Sequence, residues 1–152
     1  MTNSSPASLR RVGGLTVAAG SLFLTAGSGA WFVISKQLRD EKIVVPGNAP
    51  AFAGKTVQGP VTAYVEALVI KGNAERGAGG RTFADVSAAL REVESGSDEE
   101  RALRGQSASL ATAASLRTSL MTSVLAFGVS AFAGGLGALL LIAGTQLRRS
   151  RD

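Results

Sequence analysis

The sequence predicts an all-α membrane protein in which two transmembrane helices flank a small, mainly helical extracytoplasmic domain. Three observations predict it. Residues 118–147 form thirty positions without a charge, closed off by Arg117 on one side and by Arg148 and Arg149 on the other. A bilayer core of roughly 30 Å needs about 20 apolar helical residues, so this stretch crosses it with length to spare. Residues 12–35 form a second uncharged stretch, between Arg11 and Lys36. Finally, the chain is 45% hydrophobic but only 5% aromatic, and its apolar residues are concentrated in those two blocks. Most of the hydrophobicity therefore belongs to lipid contact and only a modest share to a water-soluble core.

Residues 1–11 are the N-terminal tail, and its first eight, polar and small, are expected to be disordered. Residues 12–35 follow as transmembrane helix 1. A cleaved signal peptide is the competing reading, because Ser28, Gly29 and Ala30 satisfy the small-residue cleavage pattern after an apolar stretch. The apolar run continues past that site through Trp31, Phe32, Val33 and Ile34, which favours an uncleaved span with Trp31 as an interfacial anchor. Arg10 and Arg11 resemble a twin-arginine signal, but Leu9 before them and glycines after them suit an orientation charge better.

Two spans put both ends on one side of the membrane. The arginines of the tails, Arg10, Arg11, Arg148, Arg149 and Arg151, place that side in the cytoplasm of a plasma (inner) membrane. Residues 36–117 then project outward as an 82-residue domain. Residues 37–42 extend the first helix, and Ile43, Val44 and Val45 read as a brief extended run ended by Pro46 and Gly47. Pro60 opens a helix in which Val61, Tyr64, Val65 and Leu68 recur at i, i+3, i+4 and i+7, with Glu66 on the opposite side. Residues 72–80 are glycine-rich and predict a loop. Thr82 and Asp85 then have capping-box spacing, and Phe83, Val86, Leu90 and Val93 repeat at helical intervals. After a break at Ser95 and Gly96, Ser97 with Glu100 caps a third helix that nothing but Gly105 stops from running into transmembrane helix 2, residues 118–147. Residues 148–152 are a basic cytoplasmic tail. With 82 residues and no disulfide, the projecting domain is near the lower limit of independent stability.

Charge and composition exclude several functions. The formal charge is +5, yet residues 36–117 carry eleven basic and ten acidic residues, so the excess lies beside the apolar blocks where it meets lipid headgroups. Nucleic acid is not expected as a partner. The chain has no cysteine and no histidine, which rules out thiolate chemistry and imidazole metal sites. A loose Walker pattern at residues 49–56, ending in Gly54, Lys55 and Thr56, lacks the helix that should begin at the lysine, because Gly59 and Pro60 follow within four residues. Asp98, Glu99 and Glu100 offer oxygen ligands for Ca²⁺, but acids in a first helical turn are accounted for by the helix dipole. Glu92 and Glu94 lie on different sides of their helix, and Lys36, Lys42, Lys55 and Lys71 show no spacing to a serine that would make a nucleophile and base. No catalytic residue, cofactor or metal is predicted, and the chain is not expected to be an enzyme.

The stronger signals lie within the spans. Ala126, Ser130, Gly134 and Ala138 recur every four residues, widened by Gly128, Ala131, Gly135 and Gly137, and Ser21, Thr25 and Gly29 do likewise in the first span. Small residues at this spacing let helix backbones approach closely, either between the two spans or with another protein. Neither span carries a charge, which argues against an ion or proton pathway.

Three runs carry a family resemblance: residues 31–46 (WFVISKQLRDEKIVVP), residues 52–64 (FAGKTVQGPVTAY) and Leu116, Arg117, Thr118, Ser119 and Leu120. Together they resemble an uncharacterised actinobacterial family of small two-span membrane proteins, over residues 11–148. Members often carry the label of aromatic ring-opening dioxygenase. Such enzymes hold non-haem iron with histidines and a carboxylate, which a chain without histidine cannot supply. The resemblance implies an actinobacterial plasma membrane and two retained spans. It also implies that Gly54, Lys55 and Thr56 belong to a structural turn.

The functional expectation is a non-enzymatic interaction or accessory subunit of the cell envelope, with membrane lipids and a protein partner or a second copy of the chain as its contacts. The alternative is an envelope ligand or lipid sensor in which Val61, Tyr64, Val65, Leu68, Phe83, Val86 and Leu90 line an apolar pocket.

Overall fold

The computed structural model describes residues 6–149. The tail residues 1–5 and 150–152, with Arg151 and Asp152, lie outside it. Four helices follow in order: α1 (Pro6–Asp40), α2 (Pro60–Gly77), α3 (Phe83–Ala89) and α4 (Asp98–Arg149). Among the described residues the only extended pairing is a single antiparallel bridge between Val44 and Thr56. α1 and α4 are both long and apolar enough to cross a membrane.

The helix boundaries are built from local chemistry. α1 begins at Pro6, six residues before the predicted span, so Arg10 and Arg11 are helical. It ends at Asp40, and Lys42 takes a left-handed conformation (φ 54°) with its amide donating to the Arg39 carbonyl at 3.0 Å. At the start of α2, the Thr62 hydroxyl accepts from the Gly59 amide at 3.2 Å, and Pro60 stands where a missing N–H costs nothing. The capping box of α3 is formed as its spacing predicted. The Asp85 carboxylate accepts from the Thr82 amide at 2.8 Å, and the Thr82 hydroxyl accepts from the Asp85 amide at 3.3 Å. At α4 the Ser97 hydroxyl accepts from the Glu100 amide at 3.1 Å, while the Glu100 carboxylate reaches back to the Gly96 amide at 2.7 Å. From there α4 runs unbroken for 52 residues, about 78 Å at the usual rise per residue.

Two further boundaries depart from the sequence expectation. α3 ends at Ala89, so Leu90 and Val93 lie beyond the helix and do not continue its repeat. The glycine-rich stretch is not a loop from Gly72, because α2 continues to Gly77. A helical glycine costs only about 1 kcal/mol relative to alanine. Here a Lys71–Glu75 pair at 3.7 Å one turn apart supports the helix, and the Arg76 guanidinium lies over the Gly72 backbone. The chain turns only where Gly79 and Gly80 take positive φ of 68° and 83°. There the Gly80 amide donates to the Glu75 carbonyl at 2.8 Å, closing the helix end.

The described chain forms two compact units, one of residues up to Gln37 with those from Leu125 onward, the other Leu38–Val124. In the second unit, the predicted extended run at residues 43–45 finds its partner at Lys55, Thr56 and Val57. The Val45 amide donates to the Lys55 carbonyl and the Val57 amide to the Ile43 carbonyl, each at 2.9 Å. Phe52 (φ 61°) and Gly54 (φ 74°) make the turn between them. Val45 and Val57 are almost wholly buried and anchor this loop. A further cluster of Ala78, Val86, Leu103 and Leu110 joins the end of α2 and α3 to the first turns of α4, with Ala74, Ala89, Leu90 and Val93 against it.

Candidate functional site

In the first unit, α1 and α4 run antiparallel along a seam of glycines. Gly13, Gly20 and Gly27 stand seven residues apart in α1 and are its buried positions within this unit. In α4 the buried positions are Phe127, Ser130, Gly137 and Gly144, with Gly134 half-buried between them. A Cβ on Gly27 would lie 2.6 Å from the Gly134 nitrogen and the Ser130 carbonyl oxygen. One on Gly20 would lie 2.8 Å from the Gly137 oxygen and the Leu141 nitrogen, and one on Gly13 3.0 Å from the Gly144 oxygen. From the other side, a Cβ on Gly137 would collide with the Leu24 nitrogen and one on Gly144 would lie 2.9 Å from the Gly13 oxygen. Backbone therefore meets backbone at three successive levels, and no side chain can be interposed. The end of the seam is closed by Trp31, whose ring meets Phe127 edge to face at a centroid distance of 4.7 Å.

The buried Ser130 hydroxyl donates to the Ala126 carbonyl of its own helix at 2.8 Å. Thr118, Thr122 and Thr145 are satisfied in the same way within α4. The contact is thus one of close packing, the mode that associates helices where no hydrophobic drive separates helix from lipid.

The expected small-residue faces map onto this seam only in part. Ser130 and Gly134 lie on it, with Ala126 and Ala138 half-buried beside it. Ser21, Thr25 and Gly29 lie off it and are exposed, and a Cβ on Gly29, Gly128 or Gly135 would meet nothing within 4 Å. A stripe read every four residues drifts about 40° per step around a helix of 3.6 residues per turn. Positions alternating by three and four drift only about 20° per seven residues, so they stay on a partner. The heptad of Gly13, Gly20 and Gly27 was visible in the sequence to that spacing rule.

Away from the seam the two helices expose large apolar side chains. Leu15, Leu22, Leu125 and Phe132 are each more than 70% exposed, and Val129, Leu139 and Ile142 nearly as much.

In the second unit the seven residues expected to line a pocket fall into two environments. Val65 is buried, Val86 lies wholly inside the core cluster, and Leu90 packs against it. Val61, Tyr64, Leu68 and Phe83 are exposed. The buried stripe of α2 is instead Ala63, Glu66 and Ala67 with Ile70 half-buried, again at i, i+3, i+4 and i+7, flanked by Val65 and Val69. Glu66 is therefore not on the solvent side. Small alanines bring α2 close to its neighbours, a preference that a search for large apolar residues passes over. Glu66 is only 6% exposed, and its Oε2 has no hydrogen-bond partner. Burial raises its pKa above the usual carboxylate value.

A cleft of about 160 Å³ lies between α2, the start of α3 and α4. Ala74, Phe83, Leu110, Ala113 and Ala114 supply apolar wall, and Lys71, Glu75 and Arg117 supply charge. Arg117 is half-buried, and its Nε is enclosed without a hydrogen-bond partner, a state that ordinarily costs about 1–3 kcal/mol or more for a charged group.

The remaining motifs serve structure. Lys55 and Thr56 belong to the bridge, and no helix starts at them. Asp98 pairs with Arg101 at 2.7 Å, and Glu100 pairs with Arg104 while it caps α4. The Gly96 amide, with help from Arg104, holds the Glu100 carboxyl below its usual pKa, and the Thr82 amide does the same for Asp85. No cluster of three carboxylates able to hold a metal ion occurs among the described residues.

No family model matches the chain, and no curated protein or solved structure is similar to it.

Proposed function

We propose that the chain is a two-span protein of the plasma (inner) membrane that acts as a non-enzymatic interaction or accessory subunit of the cell envelope. Both ends are cytoplasmic, and residues 36–117 form the extracytoplasmic domain. The observation that carries the reading is the exposure of Leu15, Leu22, Leu125 and Phe132 on a helix pair whose seam is already filled by backbone. At roughly 25 cal/mol per Å² of apolar surface, leaving such side chains in water is unfavourable by a few kcal/mol each at most, and hydrocarbon is the surrounding that removes the penalty. Arginines at the open ends of both helices fit cytoplasmic termini. The resemblance of residues 11–148 to small actinobacterial two-span proteins supports the same membrane.

The accessory role is supported by the exposed Val61, Tyr64 and Leu68, which sit on one face of α2 and leave an apolar surface for a partner. Purification in mild detergent followed by mass spectrometry tests it. A co-purifying protein, or a stable oligomer, is the expected result, and a strictly monomeric chain with no partner counts against it. Topology is tested by a reporter fused after Arg151, expected to be active only in the cytoplasm. A second reading, sensing of an envelope ligand or lipid, is favoured by the cleft at Phe83 and Arg117.

A further inference from the structure

We propose that the cleft between α2, the start of α3 and α4 is a headgroup site for an anionic membrane phospholipid, whose phosphate is held by the Arg117 guanidinium. The inference rests on residues 118–147 spanning the membrane.

Charge comes first. Arg117 lines the cleft, and its Nε, enclosed in protein, makes no hydrogen bond, so no bond at that atom offsets the charge of the guanidinium. Lys71 stands on the wall contributed by α2 and shares Glu75 at 3.7 Å. Two cations against one acid leave a positive excess that favours an anion. A guanidinium suits a phosphate in particular, since its planar fork donates two parallel hydrogen bonds.

The walls then narrow the class. Phe83, Leu110, Ala113 and Ala114 give the cleft an apolar side that inorganic phosphate would leave uncovered. An amphiphile covers it with its glycerol and the root of its acyl chains. Position along the helix supplies the source. Thirty uncharged residues separate Arg117 from Arg148, about 45 Å of helix, which matches a bilayer including both headgroup layers. Arg117 thereby falls in the outer headgroup layer, where phospholipid phosphates are concentrated.

Native mass spectrometry of the full chain in nonionic detergent, titrated separately with phosphatidylglycerol, phosphatidylcholine and inorganic phosphate, tests the site. Phosphatidylglycerol is expected to bind at least about tenfold more tightly than phosphatidylcholine, and Arg117→Gln to remove about tenfold of that affinity. Lys71→Gln should remove a smaller factor. Ala113→Leu, which fills the cleft without changing charge, should also weaken binding. Arg91→Gln, exposed and outside the cleft, should bind as the native chain does. Should Arg117→Gln fail to fold, Lys71→Gln and Ala113→Leu decide the matter. Equal binding of the two lipids, or native affinity in the cleft variants, overturns the proposal. Displacement of phosphatidylglycerol by millimolar inorganic phosphate overturns the lipid assignment. Retention of the native chain in carbonate-washed membranes is scored separately, so loss of the span is told apart from loss of the site.

Discussion

A carboxyl taken out of water without a partner is held toward its neutral form, and Glu66 carries the pH consequence. Its folded pKa lies above its unfolded value, so the folded state binds more protons in the window between the two. Its contribution to stability therefore falls as pH rises through the unfolded carboxylate range toward the raised folded value. Glu66→Gln should raise the melting temperature at pH 7 to 8, with the gain closing near pH 4, as followed by circular dichroism in detergent. A pH-independent difference would contradict this. Asp85 and Glu100 have lowered values and work in the opposite sense: their stabilisation is present at neutral pH and is lost as pH falls through their folded values. At the seam, Gly27→Ala puts a methyl carbon 2.6 Å from backbone that cannot move aside. It should cost about 1–3 kcal/mol of stability, whereas Gly29→Ala should be neutral in the same melting assay. Glu66 and Gly27 were the residues least legible in the sequence. Glu66 lies opposite the large apolar residues of α2 and so reads as solvent-facing, whereas the buried stripe is built on Ala63 and Ala67. Gly27 does not stand out in the sequence because it belongs to no four-residue repeat of small residues, whereas the partner helix selects a seven-residue one.

At the scale of elements, the signals that worked were those whose physics is local. Ser97 with Glu100, Thr82 with Asp85 and Gly59 with Pro60 each start a helix where the sequence placed one, since a cap needs only residues within one turn. Ser97→Ala should therefore destabilise the start of α4 by about 1 kcal/mol. Increased hydrogen exchange confined to residues 98–101 is its expected signature, and unchanged exchange there would argue against the cap. Signals that depend on distant partners were weaker. The extended run at residues 43–45 was visible, but its pairing with Thr56 was not, because the chain between them is held by left-handed Phe52 and Gly54. The glycine-rich stretch misled because Gly72 and Gly77 stay helical, and only Gly79 and Gly80 need the conformation that glycine allows. Leu110 belongs to the buried cluster of the second unit, and Leu110→Ala should cost about 2–5 kcal/mol, measured as loss of cooperative unfolding at lower denaturant.

For the whole molecule, two uncharged blocks were enough to anticipate two long helices, because the length of a span is set by the bilayer and not by contacts within the chain. How the blocks meet was less accessible. α4 contributes residues to both compact units. The central claim is that α1 and α4 cross a membrane as an antiparallel, glycine-seamed pair. The chain has no native cysteine, so introduced pairs report without background. The most direct measurement is cross-linking, with a short bismaleimide, of Trp31→Cys with Phe127→Cys in carbonate-washed membranes, set against Phe32→Cys with Phe132→Cys. Efficient cross-linking within one chain is expected for the first pair, whose native rings meet at 4.7 Å, and none for the second, whose side chains are exposed. Equal cross-linking of both pairs, or recovery of the chain in the soluble wash, would contradict it.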